Sequence, residues 1–450
     1  MRIPVVLMAP PLQAFRDTLM LKNEGASAEV LKNVLSQAVM PERFEIDSAY
    51  APVPVPQRAL EGGFADPLNP EAFLVRGTVD SESVGDVPHE IDNSRVFSDA
   101  VVDVCVVCFD GPPVGTRADV ETSLDVSTLH AHGLDGEGDA IAIVDTGINL
   151  DFLEEKLGFR PRLDESLSWT PEGGSVLPGH FPKGHGTMCA YAALLAAPRA
   201  TLVDIPALVG TPAGGAPIGR RVSEIYTALA PLISAWAIAF TPSGERPYKA
   251  LVLSNSWAMY NPGMDFPQGH PGRYADNPHH FFTSTLSAAS TDAQMDIVFA
   301  AGNCGPDCPL PNCEGAVAQS ITGANASASV LTIAGCDTLG RWVGYSSTGP
   351  GIAGMAQDKP DFACYTHFKG SEALGAGMPD KGTSTSCPVA AGCIAAVRTA
   401  MPSSALSPLE LYSVLRETAR PAGDTFLRLG HGILDPVAAA RVLGLISDVS

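Results

Sequence analysis

The sequence predicts an α/β protein built on a mostly parallel central sheet with helices on both faces. Three observations predict it. Four short runs, Ala140–Val144, Leu251–Leu253, Ile297–Ala301 and Val330–Ala334, are apolar throughout but for Thr332 rather than alternating, as strands buried on both faces are. Helix-like stretches separate them, which gives the length that parallel crossovers need. Each run stops at a polar or glycine residue: Asp145, Ser254, Gly302 or Gly335.

Composition supports a packed body. The chain has 450 residues, of which 45% are hydrophobic and 17% charged, and a chain this long buries a full core without metals or disulfides to hold it. The formal net charge is −21, which argues against a nucleic-acid partner, since a phosphate backbone selects Lys and Arg. The long uncharged run Ile225–Phe240 contains Pro231 and is shorter than the ~20 residues a bilayer needs, so no membrane span is expected. Several of the ten cysteines sit in apolar runs, as reduced buried thiols do, and the expected location is cytoplasmic.

Along the chain, Met1–Pro11 reads as a first β-strand rather than a signal peptide, because its apolar stretch is short and broken by proline. Residues 1–68 form an N-terminal region of unassigned role, closing in the loop-like Ala51–Pro56. Residues 69–119 read as a small α/β unit with strands at Ala72–Val79 and Val96–Val104. They end in a linker, Gly111–Thr116, whose Gly and Pro resist regular structure. The main domain spans 120–450. In it Ser223-Glu224 caps a helix over the 225–240 run, and Thr187–Ala197 is helical in character. Open parallel sheets bind ligands at the carboxyl ends of their strands, and Asp145 and Asn303 stand there.

The motifs that carry chemistry lie at these ends. Ile143-Val144-Asp145-Thr146-Gly147-Ile148 resembles the aspartate motif of the subtilisin-like serine proteases, the subtilases. Gly184-His185-Gly186-Thr187-Met188 resembles their histidine motif. Ala300-Ala301-Gly302-Asn303-Cys304-Gly305 resembles the oxyanion-asparagine motif, and Gly382-Thr383-Ser384-Thr385-Ser386-Cys387-Pro388 the serine motif. Ser254–Ala258, Gly344–Pro350, Lys359–Asp361 and Gly430–Pro436 match as well. The resemblance covers roughly residues 120–445, with the motifs in the family order Asp, His, Asn, Ser. It implies a subtilisin-like three-layer fold preceded by a small propeptide-like α/β region.

The chemistry of these residue types agrees. A serine hydroxyl is a poor nucleophile at neutral pH and needs an adjacent base. His185, opening an apolar helix after a glycine, supplies an imidazole. Asp145, ending a buried strand, fixes the imidazole tautomer. Ser384 opens another apolar helix, whose free N–H groups can face a developing oxyanion, and Asn303 offers a side-chain amide as a second donor. The expected activity is therefore a serine endopeptidase working through an acyl-enzyme with Asp145, His185 and Ser384. A dedicated maturation protease for one partner peptide is an alternative within enzymes. A catalytically silent peptide-binding pseudoprotease is the alternative from another class.

The resemblance further implies that Ser256, Trp257 and Ala258, with Gly302, bind substrate backbone, an extended peptide adding as a strand. Trp257 reads either as an apolar wall for substrate or as plain core packing. Met188-Cys189-Ala190 departs from the family's usual His-Val-Ala. Cys304, Cys308 and Cys313 form a loop beside Asn303 that reads as a disulfide, as free thiols or as a metal site. Cys105-Val106-Val107-Cys108 lacks the second pair a zinc site needs. Family members often bind calcium, but no loop here has a recognisable ligand spacing, so no cofactor and no metal ligand is assigned. The expected partner is a peptide or protein substrate. For residues 69 to about 110, propeptide-like inhibition, a permanent accessory domain and a partner-binding module all remain open.

Overall fold

The first strand organises the N-terminal region. The computed structural model describes the chain except residues 56–57, 60–62, 65–69, 71, 105–110, 172–173, 210–219, 239–245, 310–312, 314, 316 and 448–450, and except the side chains of 58, 59, 63, 64 and 238. Strand β1 (Arg2–Ala9) is followed by helices α1 (Gln13–Asn23) and α2 (Ala28–Leu35), then by β2 (Phe44–Ile46), β3 (Phe73–Asp80), β4 (Glu90–Ile91) and β5 (Ser94–Ser98). The sheet order is β2-β3-β1-β5-β4, with β1 antiparallel to both β3 and β5. Ile3, Val5 and Leu7 alternate onto one face, which Phe15 of α1 and Leu35 of α2 cover. The expected division at residue 68 is therefore corrected: β1 is the centre of a sheet that takes β3, β4 and β5 from beyond that residue, so residues 1–68 and the strands after them are one unit.

A break comes at Asp99-Ala100. The run Val96–Val104, expected as one strand, is two: β5 and β6 (Val101–Val104). The Asp99 carboxylate accepts from the Ser223 amide at 3.0 Å and the Ser223 hydroxyl at 2.8 Å, which draws the chain out of the first sheet and into another. Burial pushes the Asp99 carboxyl above its ordinary range, although Arg221 and the Ser223 hydrogen bonds pull the other way.

The main sheet follows the expected pattern. Its strands are β7 (Ala140–Val144), β8 (Arg162–Leu163), β9 (Thr201–Ile205), β11 (Leu251–Asn255), β13 (Asp296–Ala300), β14 (Leu331–Cys336) and β15 (Phe362–Tyr365). They run in the order β8-β9-β7-β11-β13-β14-β15, every neighbouring pair parallel. Two short strands stand apart, β10 (Arg220–Arg221) and β12 (Trp257–Ala258). The helices that matter are α3 (His185–Ala193), α4 (Val222–Ile238), α5 (Phe281–Thr291) and α6 (Thr383–Arg398). Ile141 and Ile143 of β7 pack with Met188, Val389 and Ile394, from α3 and α6. Ala140, Ala142 and Val144 pack with Ile225, Leu229 and Phe282, from α4 and α5. Strand alternation thus divides the interior into two cores, and the domain is three layers thick.

The N-terminal sheet joins the second core. Val6, Leu74 and Phe97 share it with Tyr226 and Phe281, and the rings of Phe97 and Phe281 meet edge to face at 5.6 Å. Gly111–Thr116, expected as a mobile linker, is held down. Val114 N–H donates to the His367 carbonyl at 2.7 Å, and Lys369 N–H to the Gly115 carbonyl at 2.9 Å. The helix Arg117–Ser123 then runs across the expected boundary at 119. Backbone groups of this stretch found partners in the main domain, which composition alone does not report.

One buried ion pair anchors the far end of α6. Arg398 Nε and Nη2 each donate to a carboxylate oxygen of Asp296 at 2.8 Å, and both side chains are fully buried. Arg398→Leu strands the Asp296 charge and should lower unfolding free energy by about 3–5 kcal/mol in urea titration. A loss under about 1 kcal/mol would show that water reaches Asp296 instead.

Candidate active site

The parallel sheet delivers the site residues to one end. Asp145 follows β7 directly, Gly302-Asn303 follows β13, and β12 continues from β11. His185 is the first residue of α3 and Ser384 the second of α6. Gly382, with φ of +83°, lets the chain turn into α6.

Asp145 is fully buried and receives His185 Nδ1 at 2.8 Å on Oδ1 and 3.0 Å on Oδ2. A ring nitrogen facing a carboxylate carries the proton, so Nε2 is left as the acceptor. That Nε2 is buried and has no hydrogen-bond partner. Ser384 Oγ donates to the Ser256 carbonyl at 3.3 Å, and Ser256 Oγ donates to the Ser384 carbonyl at 3.0 Å. One thiol touches all three residues: Cys189 Sγ lies 3.5 Å from Asp145 Oδ2, 3.8 Å from His185 Nδ1 and 3.4 Å from the Ser384 carbonyl oxygen. Burial, with the Asp145 charge, pushes the Cys189 thiol well above its ordinary pKa, so it stays neutral.

Asn303 is oriented by its neighbour. Its Oδ1 accepts from the Thr383 amide and hydroxyl, each at 3.0 Å. A backbone N–H requires an acceptor, so Oδ1 faces Thr383 and the Nδ2 amide points away from it. Gly302 N–H donates to the same hydroxyl at 3.1 Å.

A groove passes this site, and the chain's own β6 lies in it. β6 pairs antiparallel with β10 on one side, Val102 opposite Arg220, and with β12 on the other, Val104 opposite Trp257 and Asp103 opposite Ala258. Of the two readings of Trp257, the structure supports core packing. Its indole is fully buried and meets Phe282 and Phe299 edge to face, on the face that it shares with Val104 of β6.

In the cysteine loop, Cys304 and Cys313 form a disulfide, and Cys308 is disulfide-bonded too; the free-thiol and metal readings give way. Cys105 and Cys108 lie outside the described residues. Among the described residues, Asp145, His185 and Cys189 are the one group of three potential metal-ligating side chains, with ligand atoms within 4.8 Å of one another, and their hydrogen bonds to each other already engage them.

Residues 136–432 match the model of the subtilase family, peptidase S8. The chain belongs to the subtilase family. It is therefore a serine-type peptidase with a subtilisin-like fold. Among solved structures, MycP1 from the ESX-1 type VII secretion system is similar at 19% identity, over 78% of this chain and 92% of that one, with a TM-score of 0.50. MycP1 from Mycobacterium smegmatis (18%, 78% and 92%, TM-score 0.48) and MycP3 from the ESX-3 system (19%, 78% and 93%, TM-score 0.47) are similar too. At 19% identity the first of these likenesses concerns the fold alone. No curated protein matches the chain.

Sequence reading missed several contributors. Cys189 carried a signal, because it stands one helical turn after His185 and therefore on the same face. Thr383 lies within the serine motif but acts on Asn303. Arg220–Arg221 belongs to no motif and joins the groove only through pairing with β6.

The Cys189 environment is testable. Iodoacetamide at about pH 8, near the ordinary thiol pKa, should leave Cys189 unmodified in the native subtilase and alkylate it once urea unfolds the chain, as read by peptide mass spectrometry. Rapid alkylation in the native state would contradict the burial.

Proposed function

We propose that this subtilase is an endopeptidase in which Ser384 is the nucleophile, His185 the general base and acid, and Asp145 the group that orients His185. The observation that carries the reading is the buried, unpartnered Nε2 of a histidine whose Nδ1 is held by Asp145, beside a thiol that contacts Asp145, His185 and the Ser384 backbone together. Ser384 Oγ attacks the peptide carbonyl carbon and its proton passes to His185 Nε2. The carbon–nitrogen bond breaks as His185 returns that proton to the leaving amine, which leaves an ester on Ser384. Water then attacks the ester with His185 as base, and the released acid restores the serine. Asn303 Nδ2 donates to the oxyanion in both steps, with Thr383 keeping the amide turned.

Strand β6 supports an additional element of the reading: the N-terminal unit inhibits its own active site. It pairs on both sides, with β10 and with β12, as an added peptide strand does. In a peptide bound in this register, the residue after Val104's place comes opposite Ser256, whose carbonyl holds the Ser384 hydroxyl. In this sequence that residue is Cys105. The shared core around Phe97 and Phe281 favours a unit that stays attached after such a cut. No observation favours one dedicated partner peptide or a silent groove.

Ser384→Ala and His185→Ala should each abolish peptide hydrolysis and fluorophosphonate labelling while the far-ultraviolet circular dichroism stays native, because such residues act as a unit. Full activity in either variant would end the reading. Asn303→Ala should lower kcat by about 10²–10³ with KM nearly unchanged; a raised KM with normal kcat would assign Asn303 to ground-state binding instead.

Self-processing has its own signature. Wild type should cut itself between 104 and 116, the two fragments should co-elute in gel filtration, and Ser384→Ala should stay whole. An active, uncut chain would make the N-terminal unit a permanent accessory domain.

A further inference from the structure

The two walls of the groove next to Ser384 stand too close for a large side chain. Paired residues in an antiparallel ladder share a face, and faces alternate along each strand. Trp257 and Val104 share one face and lie in the core with Phe282 and Phe299. Ala258, opposite Asp103, lies on the other face, in the cluster that holds Tyr260, Cys304 and Cys313. A substrate residue opposite Ser256 is two positions on from Asp103's place, so its side chain enters on the Ala258 face.

On that face the two walls come close together. A methyl group built on Gly302 would lie 3.6 Å from the Ala258 Cβ and 3.0 Å from Ser347 Oγ, so the Ala258 methyl sits close against the Gly302 backbone. Below, Asn325 Nδ2 donates to the Trp257 carbonyl of β12 and to the Ala300 carbonyl of β13, each at 2.9 Å. Thr322 Oγ1 donates to the Met259 carbonyl at 3.2 Å. Asn325 and Thr322 are buried. The two Asn325 bonds tie β12 to β13, the strand that leads to Gly302.

We propose that Ala258 and Asn325 determine specificity and restrict cleavage to bonds that follow a small residue: Gly, Ala or Ser. The inference rests on the reading of Ser384 as the nucleophile. Ala258 narrows the mouth and Asn325 fixes the width between the walls. A Phe or Leu side chain has to push apart strands that the Asn325 amide holds together, and forcing volume into a packed site is costly. The chain's own residue after Val104 is Cys105, which is also small.

The test measures how fast Ser384 is modified in the full-length protein by two peptidyl diphenyl phosphonates that differ in carrying an Ala or a Phe side chain at the reacting position. A simple fluorophosphonate without a side chain serves as reference. The Ala probe should react at least about 50-fold faster than the Phe probe, within the range that hydrophobic pockets achieve between differently sized groups. Ala258→Gly, normalised to the fluorophosphonate rate, should reduce that ratio several-fold. Equal or faster reaction of the Phe probe, or an unchanged ratio in Ala258→Gly, would each overturn the proposal. Failure of Ser384 to take fluorophosphonate would overturn the underlying reading instead.

Discussion

The hydrogen bond from His185 to Asp145 is the constraint around which the site is arranged. A carboxylate at the end of a fully buried strand is costly unless its oxygens are engaged. Here one oxygen takes the Thr146 amide at 2.7 Å and both face His185 Nδ1. The bond settles which ring nitrogen is protonated and turns Nε2 outward. The sheet has to bring the carboxyl end of β7 and the first turn of α3 together for it to form, and the pairing of β7 with β9 and β11 does so. Cys189 fills the space beneath, and Ser384 arrives on α6, whose far end Arg398 fixes to Asp296. The functional atoms therefore stand on rigid elements, as precise positioning demands.

The N-terminal unit has two attachments of different character. β6 meets the groove by backbone pairing, which any extended peptide can imitate. The rest of the unit meets α4 and α5 through buried aromatic rings and through Asp99 on Ser223, which a peptide cannot imitate. Occupancy of the groove and attachment to the domain are therefore separable, and cutting the chain beyond β6 removes the tether without removing the shared core.

Much of this was legible in the sequence because it is local. Continuous apolar runs ending at Asp145 and Gly302, and glycines ahead of His185 and Ser384, report strand ends and helix starts within a few residues. What stayed hidden depends on contacts between distant segments. The place of β1 at the centre of a sheet with β3 and β5 follows from pairing across 64 to 93 residues, Ala9 opposite Phe73 and Val5 opposite Ser98. Gly111–Thr116 looked loose because its partners lie at 367–369. Trp257 looked available to substrate because a lone aromatic at a strand end has the same local pattern whether it faces a groove or a core. Asn325 bridges two strands from a short 3-10 helix, Gly323–Ala326, that carries no motif, and only the folded chain shows its reach.

The central claim is that Asp145 fixes the neutral tautomer of His185 so that Nε2 accepts the serine proton. Nitrogen-15 NMR of histidine-labelled Ser384→Ala protein, at a pH where the ring is neutral, reads this directly, since protonated and unprotonated ring nitrogens resonate far apart. The account predicts a protonated Nδ1 and an unprotonated Nε2 for His185, and loss of that preference in the Asp145→Ala background. A His185 signal with the proton on Nε2 while Asp145 is intact would contradict it.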